Sequence, residues 1–148
     1  RDHQKVFALE KNIDRHREAL ALQEKWRARG EDVSRCEMVN ADLRDRMDLL
    51  AEIDTLVAVR SIYYLREDLP AVFQEISKRV PNVVLCGNVS RVKDFSEGRN
   101  DPKHGLGKYD YYATEEGMKS LLTDAGYRIE AVLSDGDPIV VGKRDILG

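Results

Sequence analysis

Short apolar runs alternate with helically spaced stretches along almost all of this sequence, and that alternation is what most narrows its fold. Val6-Phe7-Ala8-Leu9 is four uninterrupted apolar residues closed by Glu10-Lys11-Asn12, which suits a strand covered on both faces. From about Ile13 to Arg29 the spacing is helical. Ile13, His16 and Leu20 share a face, Ala19, Leu22 and Trp26 lie beside it, and Asn12 and Gly30 suit the two ends. Cys36 to Asn40 alternates like an edge strand, Arg44 to Glu52 suits a short polar helix, and Thr55 to Val59 is the clearest buried strand. Asp68 then caps a helix with Pro70 in its first turn, where a missing N–H costs nothing. Its apolar stripe is Val72, Phe73, Ile76 and Val80, Pro81 stops it, and Val83 to Cys86 is a further buried strand ended by Gly87.

Asn88 to Tyr112 is long, polar and rich in Gly, Asp and Lys, and is expected to be a lid or substrate loop over residues 88–112. Thr114 opens a helix with Glu115 and Glu116 in its first turn and Met118, Leu121, Leu122 and Ala125 as its buried stripe; Gly126 ends it. Tyr127 to Leu133 and Ile139 to Lys143 flank Ser134-Asp135-Gly136-Asp137, where the Asp-Gly pair marks an antiparallel hairpin. The fold expected is therefore α/β: an open, mostly parallel sheet with helices on both faces and a C-terminal antiparallel hairpin. One domain over residues 1–148 is expected, since 148 residues with 42% hydrophobic content can bury a core.

The remaining composition excludes several functions. No apolar run approaches the roughly 20 residues that cross a bilayer, and two cysteines are too few for a disulfide framework, so a cytoplasmic location is expected. A formal net charge of -3 argues against a nonspecific nucleic-acid binder. His3, His16 and His104 have no metal-ligand spacing with Cys36 or Cys86, and no metal is expected.

In open α/β sheets ligands bind beyond the carboxyl ends of the strands. Three such ends carry suggestive residues. Glu10 after the first run can accept both hydroxyls of a ribose. Asp42 after the second, with Leu43 beside it, can hydrogen-bond an adenine amino group and pack its ring. Arg60-Ser61-Ile62-Tyr63-Tyr64 after the third brings a cation and two aromatic rings. Taken singly each has a plain structural explanation: a strand-end acid often caps a helix, and tyrosines at a helix start are often half-buried. Their order is what combines them.

In that order they resemble the class I S-adenosylmethionine-dependent methyltransferases. Val6-Phe7-Ala8-Leu9-Glu10-Lys11-Asn12 looks like the family's second strand and ribose-binding acid. Val39-Asn40-Ala41-Asp42-Leu43 looks like the third, with its adenine-side acid. Thr55 to Leu65 resembles the fourth strand and its substrate-facing continuation, and Tyr111 to Tyr127 the closing helix and strand of small-molecule members. The resemblance implies S-adenosylmethionine as cofactor, held by Glu10, Lys11, Asn12, Asp42, Leu43 and Arg60. It also implies a small-molecule or sugar-like acceptor met by Ser61, Tyr109 and lid residues such as Arg91. If the acceptor must lose a proton, the candidate bases are Tyr63, Tyr64 and His104.

The family's first strand and Gly-rich loop are expected upstream of Arg1. No Gly-x-Gly-x-Gly occurs in the sequence, and Gly105-Leu106-Gly107 lies in the lid. In the family's sheet order that strand lies between those at Val6 and Thr55, so a longer parent, a partner chain, a homo-oligomer or a rearranged sheet is expected to fill the gap. Two rival functions stay open: a nicotinamide-dependent oxidoreductase, whose ribose also takes a strand-end acid, and an inactive methyltransferase-like module that binds a partner or dimerises.

Overall fold

The computed structural model describes residues 5–96 and 107–146. The chain divides into two compact units, Arg1–Asp48 and Leu49–Gly148. His104, Arg99 and Lys103 of the expected lid lie outside the described residues, as do Arg1 to Gln4.

In the first unit, β1 (Val6–Leu9) pairs in parallel with β2 (Cys36–Val39), in register from Val6 opposite Cys36 to Leu9 opposite Val39. Between them runs α1 (Ile13–Ala28). Asn12 starts this helix because its Oδ1 accepts hydrogen bonds from the backbone N–H groups of Asp14 and Arg15, at 3.0 and 3.1 Å. Gly30, with φ of 87°, ends it in a conformation that a side chain would oppose. Gln23 ties α1 to β2 by donating to the Cys36 carbonyl at 2.8 Å. The apolar stripe expected to be buried on α1 is not: none of its residues is buried, and Leu22 is 55% exposed. A pair of four-residue strands offers too little surface to cover a 16-residue helix. The short helix expected over 44–52 forms instead as two 3-10 turns, Leu43–Asp45 and Met47–Glu52, interrupted by the non-helical backbone of Arg46 (φ −131°, ψ 38°).

The second unit holds β3 (Thr55–Val59), α2 (Leu69–Arg79), β4 (Asn82–Cys86), α3 (Val89–Ser96), α4 (Glu115–Asp124), β5 (Arg128–Leu133) and β6 (Ile139–Lys143). The sheet order is β3-β4-β6-β5, with β3 and β4 parallel and the other two ladders antiparallel. The expectation of one mostly parallel sheet therefore holds only in part. The hairpin forms, but its return strand β6 inserts between β4 and β5, and β1 and β2 make a separate sheet. Within the expected 88–112 connection α3 forms, because Asn88 supplies the missing cap: its Oδ1 accepts from the Ser90 N–H at 3.1 Å.

One face of the four-stranded sheet carries Val83, Leu85 and Val140. These residues are buried, as are Leu69, Val72, Phe73 and Ile76 of α2 and Met118, Leu121 and Leu122 of α4. Buried Tyr127 donates its hydroxyl to the Val80 carbonyl at 2.6 Å, and burial pushes that phenol up to about 12. The opposite face is apolar but open. The pairing aligns Val57, Val84, Val141 and Ala131 in one row and Val59, Cys86, Ile139 and Leu133 in the next. Val57, Val59 and Leu133 are each 60–61% exposed. Cys36 and Cys86 are half-buried free thiols. Among the described residues no helix is long and apolar enough to cross a membrane, and no group of His, Cys, Asp and Glu could hold a metal ion.

Candidate functional site

The parallel β1–β2 register carries both strand-end acids to the same end of the first unit. The Glu10 N–H donates to the Val39 carbonyl at 3.0 Å, continuing the ladder past Leu9. Asn40 then bridges back, its Nδ2 donating to the Glu10 and Lys11 carbonyls at 2.9 and 3.2 Å. The loops that begin at Glu10 and at Asn40 are thus fastened to one another. Half-buried Leu43 lies directly after Asp42.

The two carboxylates differ in what they already hold. Glu10 accepts the Asn12 N–H on Oε1 at 3.1 Å, which leaves its other oxygen for a ligand hydroxyl. Asp42 is more committed. Its Oδ1 accepts the Arg44 N–H and Nε at 2.9 and 3.0 Å, and its Oδ2 accepts Arg44 Nη2 at 2.7 Å. Hydrogen bonds from the Arg44 side chain hold the carboxyl down at about 2. The cap expected as its plain structural explanation is therefore present: Asp42 is the N-cap of the Leu43–Asp45 turn. One lone pair of Oδ2 remains for a further donor.

At the C-terminal end of β3 in the second unit, the backbone is unusual twice. Arg60 and Arg66 both have φ of 51°, in the left-handed region that side chains rarely adopt. They bracket the segment Ser61 to Leu65. Within it Ser61 is exposed and accepts the Tyr64 N–H at its carbonyl, 3.2 Å away. Tyr63 is buried at 1% exposure while Tyr64 is 45% exposed, with ring centroids 4.9 Å apart. Burial raises the Tyr63 phenol above its ordinary value, against the hydrogen bond it accepts from Asn88 Nδ2 at 3.2 Å. Arg91 of α3 lies over both rings, 5.9 and 6.0 Å from their centroids, and donates to the Tyr64 hydroxyl at 3.3 Å. Asp110 stands 3.6 Å from Arg91 and is 1% exposed; its Oδ1 has no hydrogen-bond partner among the described residues. Tyr109 and Tyr112 pack against the Tyr63–Ala113 core, with the Lys108 ammonium 5.3 Å from the Tyr109 ring.

Arg60 is fixed by a residue that sequence reasoning missed. Its guanidinium donates twice to Asp137 Oδ2, at 2.8 and 2.5 Å, while Asp137 Oδ1 accepts the Val89 N–H at 2.9 Å. These bonds, the Val89 N–H foremost, hold the Asp137 carboxyl below its ordinary value. The Asp-Gly signal announced the turn but not that its last acid reaches 77 residues back. Asn88 and Asp110 were likewise missed as site residues. Asn88 was findable as a helix cap ahead of Val89-Ser90-Arg91-Val92, whereas nothing in the sequence marked Asp110. A groove lined by Pro70, Gln74, Tyr112, Ser120, Leu121 and Asp124 shares only Tyr112 with these residues.

No protein-family model matches the sequence, and neither does any curated protein. Solved structures do match. The crystal structure of EvdMO1 superposes with a TM-score of 0.58 at 19% identity, over 94% of this chain and 31% of that one. An O-methyltransferase family protein from Burkholderia thailandensis gives 0.58 at 14% identity, over 96% and 43%. A protein from Corynebacterium glutamicum gives 0.55 at 16% identity, over 97% and 62%. The chain has the α/β fold these structures share. It spans less than two thirds of the length of each.

Proposed function

We propose that this chain serves in methyl transfer from S-adenosylmethionine to a small-molecule acceptor. The observation that carries the reading is the β1–β2 register, which brings the Glu10 and Asp42 loops to one strand end and fastens them through Asn40. A nucleoside needs paired acceptors for a diol and an acceptor beside an apolar ring surface. The free oxygen of Glu10, the remaining lone pair of Asp42 and the side chain of Leu43 fit those needs. Lys11 and Asn12 frame the same loop, and Asn12 holds the Glu10 carboxylate in place.

The sulfonium cofactor supplies its own good leaving group, so the protein's share is alignment and exclusion of water, worth up to about 7–11 kcal/mol when near-attack geometry is held. The second unit carries the acceptor-side residues in this reading. The strained Arg60–Arg66 segment presents Tyr64 at the surface, and Tyr63 anchors it from within. Tyr63 is poorly suited to act as a base, since burial favours its neutral form; in this reading it holds its proton and donates it. Arg60 keeps its expected place on the cofactor side: Asp137 fixes its guanidinium through Nε and Nη2, which leaves Nη1 as a donor.

Isothermal titration with S-adenosylhomocysteine and with NADH tests this. Heat with S-adenosylhomocysteine and none with NADH is the expected outcome. Heat with NADH alone makes the chain a nicotinamide-binding protein, and heat with neither leaves a module that binds no nucleotide cofactor.

A further inference from the structure

We propose that β3 pairs antiparallel with β3 of a second copy of this chain, about a twofold axis at Val57, to form a reversible dimer. β3 is the end strand of the four-stranded sheet, hydrogen-bonded to β4 alone. The Arg60 N–H donates to the Cys86 carbonyl at 2.9 Å, and the Asp54 carbonyl accepts the Asn82 N–H at 3.1 Å. Successive residues turn their backbone groups to opposite sides of a strand, so Leu56 and Ala58 also address β4. The N–H and C=O groups of Thr55, Val57 and Val59 therefore line the outer edge, where no strand among the described residues meets them. Such a row is a template for another strand. The opposite edge of the sheet is blunted: β5 carries a bulge between Ile129 and Ala131 and the charged side chains of Arg128 and Glu130. β3, Thr-Leu-Val-Ala-Val, has no bulge, charge or proline.

A second copy fits this edge because the edge is complementary to itself. Thr55, Val57 and Val59 are spaced evenly about Val57, so a twofold axis there sets Val57 against the second copy's Val57 and Thr55 against the second copy's Val59. Each facing pair exchanges both of its hydrogen bonds, and no outward N–H or C=O of either strand is left over. The side chains gain as well. Val57 and Val59, 61% and 60% exposed, stand on the open apolar face, where opposed β-branched residues pack across the new ladder. The row Val57, Val84, Val141 and Ala131 then runs on into the same row of the second copy. The arrangement closes on itself, since the twofold uses the β3 edge of both copies at once and the β5 edges are blunted. A contact of five residues a side is small, which makes the dimer weak and reversible rather than obligate.

Sedimentation of the full chain from about 10 µM to about 1 mM tests this, with amide exchange read by NMR at both ends of the range. A monomer should give way to a dimer, and exchange at Thr55, Val57 and Val59 should slow at least about threefold in the concentrated sample. Leu56 and Ala58, already bonded to β4, should not respond. Val57→Lys alters a side chain already largely in water, so the monomer keeps its fold. It sets two like charges face to face across the axis, and the dimer should weaken at least about tenfold. Val57→Cys should form an interchain disulfide on oxidation, mapped between the two substituted peptides, because the Cα atoms of a hydrogen-bonded pair stand about 5.5 Å apart, within disulfide range. Thr55→Cys should not bridge to itself, since it faces Val59 of the second copy. A chain that stays monomeric to about 1 mM overturns the proposal. A dimer that tolerates Val57→Lys uses another surface and overturns it too. Equal protection of the three amides at every concentration does the same, because the chain then covers the edge itself.

Discussion

Arg66 combines φ of 51° with ψ of −126°, a backbone region almost reserved for glycine. Such strain costs about 1–3 kcal/mol, against which a glycine loses about 0.5–1 kcal/mol of unfolded-state entropy. Arg66→Gly should therefore leave stability unchanged or raise it by up to about 2.5 kcal/mol in urea unfolding; a loss of stability would show that the side chain itself holds the segment. Tyr127→Phe should cost about 1–3 kcal/mol, because the buried Val80 carbonyl loses its donor. The Tyr127 contribution has a sign in pH as well. Its folded-state value of about 12 lies above the ordinary 10, so the stability it lends is complete below pH 10 and disappears as pH rises through 12. Asp42 runs the other way. Its value is depressed from 3.8 to about 2, so its contribution is present above pH 4 and is lost as pH falls through 2. Acid titration of an Asp42→Asn variant should lack that component.

The hairpin between β5 and β6 acts on elements far from it in sequence. Asp137 joins the end of β3, through Arg60, to the first N–H of α3, and Gly87 between them donates to the Pro138 carbonyl at 2.8 Å. A Cβ at Gly87 would overlap the Ala113 carbonyl oxygen, so the chain crossing there requires glycine. Asp137→Ala should raise amide exchange at Val89 and in the first turn of α3 by tenfold or more while leaving β3 and β4 protected; unchanged exchange would mean that the clasp holds nothing. On the open sheet face Val57→Thr and Val59→Thr should cost less than about 0.5 kcal/mol each, since both side chains are already in water. Phe73→Ala beneath the other face should cost about 3–5 kcal/mol.

Across the whole molecule, strands and helices were legible in the sequence where a period of two or 3.6 was backed by a cap or a stop, as at Asn12, Thr114 and the Asp135-Gly136 turn. Burial was less so. The α1 periodicity predicts a covered stripe, yet what covers a helix is set by the area of its neighbours, which periodicity does not contain. The sheet order escaped for a related reason: nothing local tells β6 to return between β4 and β5 rather than beside β5 alone. The strand-end acids were readable because their position depends only on where each strand stops. Asp137 and Asp110 were not, since long-range pairing decides their roles. The likeness to solved structures at 14–19% identity has the same character, a shared arrangement with little shared sequence.

The proposed grip of the first unit on a nucleoside is tested most directly by amide chemical shifts recorded while S-adenosylhomocysteine is added. The expected result is saturable movement at Glu10 to Asn12 and at Asp42 and Leu43, abolished at the first loop by Glu10→Ala in a chain that remains folded. Saturation with those amides unmoved, or no saturation at all, would contradict it.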